Sequence, residues 1–484
     1  MTSVGNSVFD SLHACAGKIL HESIEACDIP TAFDRRIRFR GEMLERISGE
    51  AEQSQAVQLS TCRKVFVIAL GKAAGPMLEV LLDRMPRRKG LRGICCSKYL
   101  PQKRNWRFRY FEGGHPLPNE ESFAAARATL ALLRKARKDT LIFFLISGGG
   151  SAMFDLPIDE SISLQDTVDF HSALLASGAP ISDINVLRKH FSAVKGGKLA
   201  MAAPEAMKIS LLLPDVPLRT LDSLSSGPTS LDRSTIDDVR AILNKYDLEE
   251  KLPQSVTGLL LRESRSESSE TTPQKSPLAW ISARPGLTKA SPAPAARSGK
   301  DADLFPPHSI FETLLSSHDL LENARAAAQK AGYFVAVDNS CDDWDYADAA
   351  RYLLERFHAL RGQHARFCMI SVGELTVTMD RKPGAGGRNQ QFALECARNL
   401  AQYPEERLTV LSAGSDGIDG NTPNAGAIAD PSTFERARAF GFDPEESLRT
   451  YDTCPLFMAL GDSIVTGPTG QNLRDLRLLI SEKD

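Results

Sequence analysis

The sequence predicts an α/β protein with two α/β domains, the first of which has a mostly parallel sheet flanked by helices. Three observations support this fold class. The chain has 484 residues, more than one hydrophobic core normally supports. Apolar strand patterns alternate with helical patterns along it, as in parallel sheets with helical crossovers. A stretch rich in Ser and Pro, residues 262–303, interrupts this alternation and offers little to bury.

This change in composition sets the expected domain boundaries. The first domain is predicted over residues 1–261, and a second, smaller α/β domain with a mixed sheet over residues 304–484. Residues 262–303 between them are predicted to be a disordered insertion or linker, because Ser/Pro-rich segments cannot offset the entropy of ordering.

Composition excludes several classes of protein. The formal net charge of -3 is small for this length and argues against a nucleic-acid or anionic-membrane surface. The longest apolar runs, such as Leu141–Ile146, are far too short to span a bilayer. The N-terminus lacks the basic and long apolar regions of a signal peptide. Nine scattered cysteines without a CxxC pair indicate reduced thiols, so a cytoplasmic protein is expected.

The elements of the first domain follow from local patterns. Apolar residues between Val8 and Leu20 recur at helical spacing, which predicts an opening amphipathic helix. The segment KVFVIALGKAAGPMLEVLLDRM predicts a strand, a glycine turn and a helix, and the short strand GICCS follows. ESFAAARATLALLRKA is rich in good helix formers. The continuous apolar run TLIFFLIS suits a strand buried on both faces, and MKISLLLPDV repeats this pattern.

The second domain shows the same kind of alternation. HDLLENARAAAQKAGYFVAVD predicts a helix, a cap at Gly332 and a strand. RFCMISVGELTVTM predicts two paired strands, and QQFALECARNLAQY predicts a helix. LTVLSAGSDGIDG is expected to be a strand that runs into an acidic, glycine-rich loop.

Two glycine turns of the first domain are candidate phosphate sites. Ser147–Ser151, with Gly148, Gly149 and Gly150 between the serines, follows a buried strand. Its backbone N–H groups could face an anion, and ligands gather at the carboxyl ends of parallel strands. The alternative is a tight turn packed under another loop. Gly71 and Lys72 form the other turn, which matches neither a Walker A loop nor GxGxxG. Lys72 could neutralise phosphate oxygens, or it could be a solvated lysine.

Two further segments carry basic side chains. In INVLRKHFSAVKGGKLA, Asn185 and Arg188 could reach a cleft, whereas the group of lysines that follows is expected to be a solvated helix face. In PGAGGRNQQ, a glycine loop delivers Arg388 and Asn389 to the start of a helix, where the guanidinium could bind phosphate or carboxylate. The alternative for this segment is a helix N-cap at Asn389 with an exposed arginine.

Acidic residues of the second domain are candidate Mg²⁺ ligands. Asp416 and Asp419 lie in a loop of small residues after a strand, and carboxylate oxygens suit this cation. The alternative is a pair of Asx-type turn residues. The spacing does not match an EF-hand loop, and Glu374 is a further carboxylate at a strand.

The ordered motifs of residues 65–477 resemble the class II glycerate 2-kinases, whose C-terminal part is the MOFRL domain. The motifs are GKAAGPM, EGGHPLPNEES, LISGGGSAMFDLP, INVLRKHFSAVKGGKLA, SSGPT, GELTV, GAGGRNQQ, GSDGIDGNTPNAGA and LGDSIVTGPTGQNLRDL. The resemblance implies a Rossmann-like N-terminal domain, a MOFRL region at about 366–478 and a site in the cleft between the domains. It also implies ATP-dependent phosphorylation of D-glycerate at its 2-hydroxyl, which gives 2-phosphoglycerate.

The resemblance assigns the family's proposed catalytic lysine and arginine to Lys72 and Arg388. On this hypothesis the first glycine turns bind phosphate groups, Lys72 stabilises the transferring phosphoryl group, and Arg388 binds the acceptor carboxylate or the developing charge. The remaining assignments are phosphate or substrate contacts at Gly71, Ser147, Gly148, Gly149, Gly150, Ser151, Asn185, Arg188 and Asn389, and Mg²⁺ ligands at Asp215, Asp416 and Asp419.

The sequence also departs from the family pattern. Leu218, Arg219 and Thr220 stand where the family usually has Gly-Asp-Asp or similar, which removes acids from that loop. Ser316–His318 reads SSH where GSN is usual, and GGRNQQ stands where GGRNQE is usual. A divergent paralogue with another sugar-acid acceptor, or without activity, therefore remains an alternative. So does an NAD(P)H-dependent hydroxypyruvate reductase, although neither glycine turn fits its dinucleotide fingerprint. The protein is expected to be a monomer or a homodimer.

Overall fold

The structure is a computed structural model that describes residues 3–47, 56–266 and 308–483. The predicted disordered insertion lies outside the described residues, except for residues 262–266, which end a helix. The chain forms two compact units. The first is Phe33–Leu314, and the second combines Met1–Ala32 with Leu315–Asp484.

The boundary between the units differs from the prediction of a first domain over 1–261. Helix α1 (Ser3–Glu25) packs against elements of the second unit, because its apolar face, which includes Leu12, Ala16 and Ile19, is buried there. Hydrophobic spacing in a sequence predicts that a helix has a buried face but does not say which sheet covers it. The assignment of the first 32 residues was decided by this contact.

The first unit is built from short elements in strand–helix alternation. Its strands are β1 Ile37–Arg40, β2 Met43–Arg46, β3 Ala56–Gln58, β4 Lys64–Leu70, β5 Leu91–Ser97, β6 Phe108–Glu112, β7 Thr140–Ser147, β8 Met207–Leu213 and β9 Ser309–Thr313. Helix α2, Ile29–Arg36, crosses the boundary between the units. The other helices of the first unit are α3 Ala74–Arg84, α4 Glu120–Leu133, α5 Gly150–Met153, α6 Leu164–Ala176, α7 Ile181–Phe191, α8 Lys198–Met201, α9 Ile236–Lys245 and α10 Gln254–Ser266.

The main sheet of this unit is parallel and confirms the predicted fold class. Among the described residues its strand order is β6-β5-β4-β7-β8-β9, and every neighbouring pair is parallel. All residues of β7 are buried, as its continuous apolar run predicts. β4 and β7 are neighbours, with Leu70 opposite Ile146. The two glycine turns that follow these strands therefore lie side by side at one edge of the sheet.

The second unit has a mixed sheet, as predicted. Its remaining helices are α11 Ser317–Lys330, α12 Tyr346–Leu360, α13 Arg388–Leu400, α14 Thr433–Ala439, α15 Pro444–Arg449 and α16 Cys454–Leu460. Its strands are β10 Phe334–Val337, β11 Arg366–Gly373, β12 Leu408–Gly414, β13 Gly426–Ala429, β14 Ser463–Ile464 and β15 Asp475–Glu482. The described strand order is β10-β11-β15-β12-β13-β14, in which β10 and β11 are parallel and the other neighbours are antiparallel.

One strand prediction in this unit was wrong. RFCMISVGELTVTM does not form two paired strands, because β11 ends at Gly373 and the following residues leave the sheet. The antiparallel partner of β11 is β15, more than a hundred residues further along the chain, where Phe367 pairs with Ser481. The alternation in residues 374–379 instead leaves Leu375 buried and Met379 exposed in a loop. Such a distant pairing cannot be read from a local pattern.

The structure was also searched for membrane-spanning helices and for disulfides. Within the described ranges, no helix combines the length and the apolar character that crossing a bilayer requires. All nine cysteines lie in the described ranges, and no disulfide joins them.

Candidate active site

Hydrogen bonds tie the two glycine turns of the first unit together. The Lys72 N–H donates to the Gly148 carbonyl at 2.9 Å, and the Ala73 N–H donates to Ser147 Oγ at 2.9 Å. A side chain at Gly71 would overlap Ser147, so glycine is required for this close approach. Gly71 and the Ser147 hydroxyl therefore join the two turns, and their contact with a ligand stays a prediction.

The protein's own side chains explain two of the three consecutive glycines. A Cβ at Gly148 would overlap the Asp215 carboxylate, and a Cβ at Gly150 would overlap the Ser225 hydroxyl. Both approaching residues come from the segment that follows β8. Helix α5, which follows the glycines, has only four residues, so its dipole adds little positive potential. These contacts agree with the alternative of a turn packed under another loop, and the phosphate contacts of Gly148 and Gly150 stay a prediction.

The middle glycine is the point where basic side chains converge. Gly149 has a left-handed backbone with φ of 83°, which a residue with a side chain rarely adopts. A Cβ there would lie 3.1 Å from Lys72 Cγ and 3.3 Å from His115 Cδ2. His115 lies in the EGGHPLPNEES motif but is not one of the predicted site residues. Its motif was a signal for function, but its contact with Lys72 depends on the fold.

The surroundings of Gly149 are electropositive. Burial lowers the pKa of His115 to about 4, and the positive charges of Lys72, Lys98 and Arg188 contribute. Arg188 is only 5% exposed, and its Nε has no hydrogen-bond partner among the described residues. Burial lowers the pKa of Arg188 to about 10, which still leaves the guanidinium charged at neutral pH. A buried cation with an unsatisfied donor, close enough to His115 to lower its pKa, suits an anionic ligand.

A chain of polar side chains connects Ser151 with helix α7. The hydroxyl oxygens of Ser151 and Ser226 are 2.8 Å apart, and Ser226 donates to Asn185 Oδ1 at 2.9 Å. Ser225 and Ser226 both have left-handed backbones, which is uncommon for serine and marks a functional candidate. Asn185, which is 2% exposed, therefore supports the serine loop instead of facing solvent.

A buried ionic network lies directly beyond the glycine turn. Lys195 Nζ is 2.7 Å from Asp155 Oδ1, and His171 Nε2 is 2.8 Å from Asp155 Oδ2. Ser192 donates to the same carboxylate at 2.6 Å. Burial would raise the pKa of Asp155, but Lys195 and His171 outweigh it and hold that pKa well below its usual range. Asp155 also lies close enough to Arg188 to raise its pKa.

This network corrects the prediction of a solvated lysine face. Lys195 is 1% exposed and Lys189 is 6% exposed. Helix α7 ends at Phe191, so the lysines do not share one helix face. Acids distant in sequence pair with them, including Asp222, whose Oδ2 is 3.1 Å from Lys189 Nζ. Helical spacing alone could not reveal these partners.

The network leads to a prediction about stability. Replacing Lys195 with Met should lower the free energy of unfolding by about 3 kcal/mol, because the buried Asp155 would lose its lysine partner and keep only His171 and Ser192. The folded pKa of Asp155 is depressed, so the pair stabilises the protein above the unfolded carboxyl pKa and fails only as pH falls through the folded value. Urea unfolding at pH 7 therefore measures the whole effect.

A matched control is an exposed lysine on α9. Lys245 lies 3.3 Å from Asp183 at the surface, so Lys245→Met should change the free energy of unfolding little. An equal loss of stability in both variants would show that burial of the Asp155 pair has no special importance.

In the second unit, Arg388 is bound by two carboxylates. Its Nε donates to Asp475 Oδ2 at 2.6 Å, and its Nη2 donates to Asp475 Oδ1 at 3.0 Å and lies 2.9 Å from Glu374 Oε1. Burial would lower the pKa of Arg388, but Asp475 and Glu374 raise it above its usual range. The Arg388 guanidinium is therefore already paired with two carboxylates. It is also not the exposed arginine that the alternative of a simple helix N-cap would have. Within the described residues, Nη1 has no hydrogen-bond partner and can still face an anion.

Asp419 caps the helix that Arg388 begins. Its Oδ1 accepts from the Asn389 N–H at 3.0 Å and from Asn389 Nδ2 at 3.2 Å. Its Oδ2 accepts from the Gln390 N–H at 2.9 Å and from Gln390 Nε2 at 3.1 Å. Burial raises the pKa of Asp419 to about 6. These four bonds fill the carboxylate, so we do not retain Asp419 as a metal ligand.

Asn389 likewise has a structural environment. It is 1% exposed, and its Oδ1 accepts from Ser412 at 2.6 Å while its Nδ2 donates to Asp419. Gly387 occupies the N-cap position and Asp419 supplies the capping oxygens, so Asn389 is not the cap either. We do not retain Asn389 as a substrate contact.

The metal prediction rests on the two remaining acids. No group of three or more His, Cys, Asp or Glu side chains that could hold a metal is found in the part of the chain that the structure describes. Mg²⁺ in kinases usually binds one or two carboxylates together with substrate phosphates and water, so it needs no such cluster. Asp215, placed against Gly148, fits that pattern. Asp416 accepts from the Ile418 N–H at 3.1 Å, as expected of an Asx turn.

Comparisons with known proteins agree with this arrangement. A family model described as a domain of unknown function (DUF4147) matches residues 15–261, and the MOFRL family model matches residues 367–475. The glycerate 2-kinase of Pyrococcus horikoshii is 34% identical over 422 residues, which cover 86% of this chain and 87% of that protein. A putative hydroxypyruvate reductase of Agrobacterium vitis is 32% identical over 421 residues, covering 86% and 87%.

A solved structure is similar over almost the whole chain. The crystal structure of a glycerate kinase from Thermotoga maritima has a TM-score of 0.74 and 28% sequence identity, and the match covers 98% of this chain and 100% of that chain. The two family models follow each other here in the order of the two predicted domains. With these matches over most of its length, the chain belongs to the glycerate 2-kinase family, which combines a DUF4147 domain with a MOFRL domain.

Proposed function

We propose that this chain is an ATP-dependent kinase that phosphorylates D-glycerate at its 2-hydroxyl and releases 2-phosphoglycerate. The observation that carries the proposal is the placement of Lys72 and His115 at Gly149, at the carboxyl ends of two parallel strands, with the buried Arg188 close enough to lower the pKa of His115. Donor and acceptor are both anions, and phosphoryl transfer depends mainly on positioning and charge stabilisation. The family relationship supports the same reaction.

The residues would divide the work as follows. Backbone N–H groups of Gly149, Gly150 and Ser151 face the phosphate groups, and Lys72 stabilises the transferring phosphoryl group. Arg188 orients the bound anion, and Asn185 holds the serine loop beside it. Arg388 contributes its remaining Nη1 amino group to the acceptor carboxylate or the developing charge.

The transfer itself needs little covalent chemistry from the protein. The oxygen of the acceptor 2-hydroxyl forms a bond to the γ-phosphorus, the bond from that phosphorus to the bridging oxygen of ATP breaks, and the hydroxyl proton leaves to solvent. Mg²⁺ bound with the nucleotide would neutralise phosphate charge. Asp215 would hold it, with Asp416 as the candidate in the second unit.

A coupled assay tests this proposal. We expect ADP to form only when Mg·ATP and D-glycerate are both present, with the phosphate on carbon 2 of the product by ³¹P and ¹H NMR. Omitting either substrate is the control. Consumption of NADPH with hydroxypyruvate, in place of ADP formation, would contradict a kinase and favour a reductase. Binding of glycerate without turnover would identify a divergent, inactive member.

Location and assembly are also proposals. A cytoplasmic location is supported by the scattered cysteines of the sequence. Light scattering of the purified protein would distinguish a monomer from a homodimer.

A further inference from the structure

The second unit contains a cavity of about 380 Å³ beside Arg388. Its walls include the apolar side chains of Leu375, Val377 and Met379, and Tyr451 closes one side. Cavities of this size hold ligands much larger than a three-carbon acid. Met379 is 53% exposed, so one wall is an apolar surface that a ligand could cover.

The floor of the cavity is held rigidly. Asn421 accepts from the Gly386 N–H at 3.0 Å and donates to the Gly384 carbonyl at 2.9 Å. On the opposite side, the Tyr451 hydroxyl donates to the Thr378 carbonyl at 3.0 Å. Tyr451 has a φ of 55°, a strained conformation for an aromatic residue. A preformed cavity of this kind loses little entropy when a ligand binds.

One buried polar atom in the wall lacks a partner. Gln391 lines the cavity and is 1% exposed. Its Nε2 donates to the Leu448 carbonyl at 3.0 Å, which determines the orientation of the amide. Its Oε1 is buried, and no donor reaches it among the described residues. An unsatisfied buried acceptor is costly, so a ligand with a donor group fits here.

The charges around the cavity favour an uncharged group as occupant. Asp475 and Glu374 pair with Nε and Nη2 of Arg388, so apart from its Nη1 group this arginine offers the cavity little positive charge for a further anion. A planar heterocycle gains contact with the apolar walls, and an exocyclic amino group can donate to Gln391 Oε1. Adenine has both features.

We propose that this cavity binds the adenine ring of the phosphate donor, with its exocyclic amino group hydrogen-bonded to Gln391 Oε1. This inference rests on the proposed kinase function. On this proposal, Gln391 selects the base. The side chains of Leu375, Val377 and Met379 make the apolar contacts with the ring. Inosine diphosphate, which has a carbonyl in place of the amino group, is the natural competitor because its oxygen would face Gln391 Oε1.

Calorimetry with the full chain tests the assignment. We expect ADP to bind at least about tenfold more tightly than inosine diphosphate, and Gln391→Met to remove this preference. Met379→Asp should weaken ADP binding about tenfold or more, because it places a charge on the apolar wall. Met458→Asp is the matched control, since Met458 is 61% exposed in the same unit and does not line the cavity.

The outcomes separate this inference from the kinase proposal. Unchanged ADP affinity in Met379→Asp, or a preference for ADP that persists in Gln391→Met, would overturn the adenine site even if the wild-type protein phosphorylates glycerate. If the wild-type protein shows no turnover but binds ADP in the expected way, the adenine site stands and the kinase proposal fails. Met379 is exposed, so its variant keeps the test decisive if Gln391→Met does not fold.

Discussion

Replacing Lys72 with alanine should lower the turnover of glycerate phosphorylation by about 100- to 1,000-fold, which is typical for the loss of one group that stabilises transition-state charge. Lys72 lies over Gly149 next to His115, and the charged Arg188 is close enough to lower the pKa of that histidine. The backbone at this position is held by hydrogen bonds of the main chain and of Ser147, which do not involve the lysine side chain. The fold should therefore be preserved in the variant.

The measurement is kcat in the coupled assay, together with urea unfolding of the same preparation. Lys138→Ala is a matched control, because Lys138 is an exposed lysine of the same unit and lies outside the glycine turns. Near-normal turnover in Lys72→Ala would remove this residue from the mechanism. Reduced turnover with a parallel loss of stability would indicate a structural role.

Replacing Arg388 with alanine should reduce both turnover and stability. Asp475 is 1% exposed and would lose the two hydrogen bonds that Arg388 donates to it. Breaking a buried ion pair leaves an uncompensated charge and costs on the order of 3 kcal/mol. Arg388 is itself a third exposed, so solvent screening should keep the loss near the lower end of the range for buried pairs.

A double variant separates the two effects. Arg388→Ala combined with Asp475→Asn removes the unpaired charge, so it should recover most of the stability in urea unfolding. Turnover should stay low, because no other group replaces the guanidinium at the site. A double variant that regains turnover would show that Arg388 acts only by holding Asp475. An Arg388→Ala single variant as stable as the wild type would contradict the buried pair.

The strands that build the site were predictable because they are buried on both faces. β4, β7 and β8 each contain a run of apolar residues with few polar positions, and such a run is typical of a strand covered on both faces. The short strands β1–β3, by contrast, were not predicted. They carry mixed charged and apolar residues, as in IRFR, and form only through pairing with one another.

Several candidate site residues have a structural environment that the sequence did not predict, because their hydrogen-bond or ion-pair partners are distant in the chain. Asn389 and Asp419 each looked suitable for a ligand, but they satisfy one another. Lys195 looked solvated, but Asp155 draws it into the core. His115 was not predicted as a site residue, because it comes close to Lys72 only when β6 and β4 lie in the same sheet.

The sequence by itself determined the α/β class, the two glycine turns after buried strands and the ordered motifs that indicate the family. These features are local, since they depend on side-chain type and spacing within a few turns of chain. Only the tertiary structure decided what each glycine meets: Asp215 at Gly148, Lys72 and His115 at Gly149, and Ser225 at Gly150. Such contacts join segments that are far apart in the chain, and local sequence patterns do not show which distant segments come together.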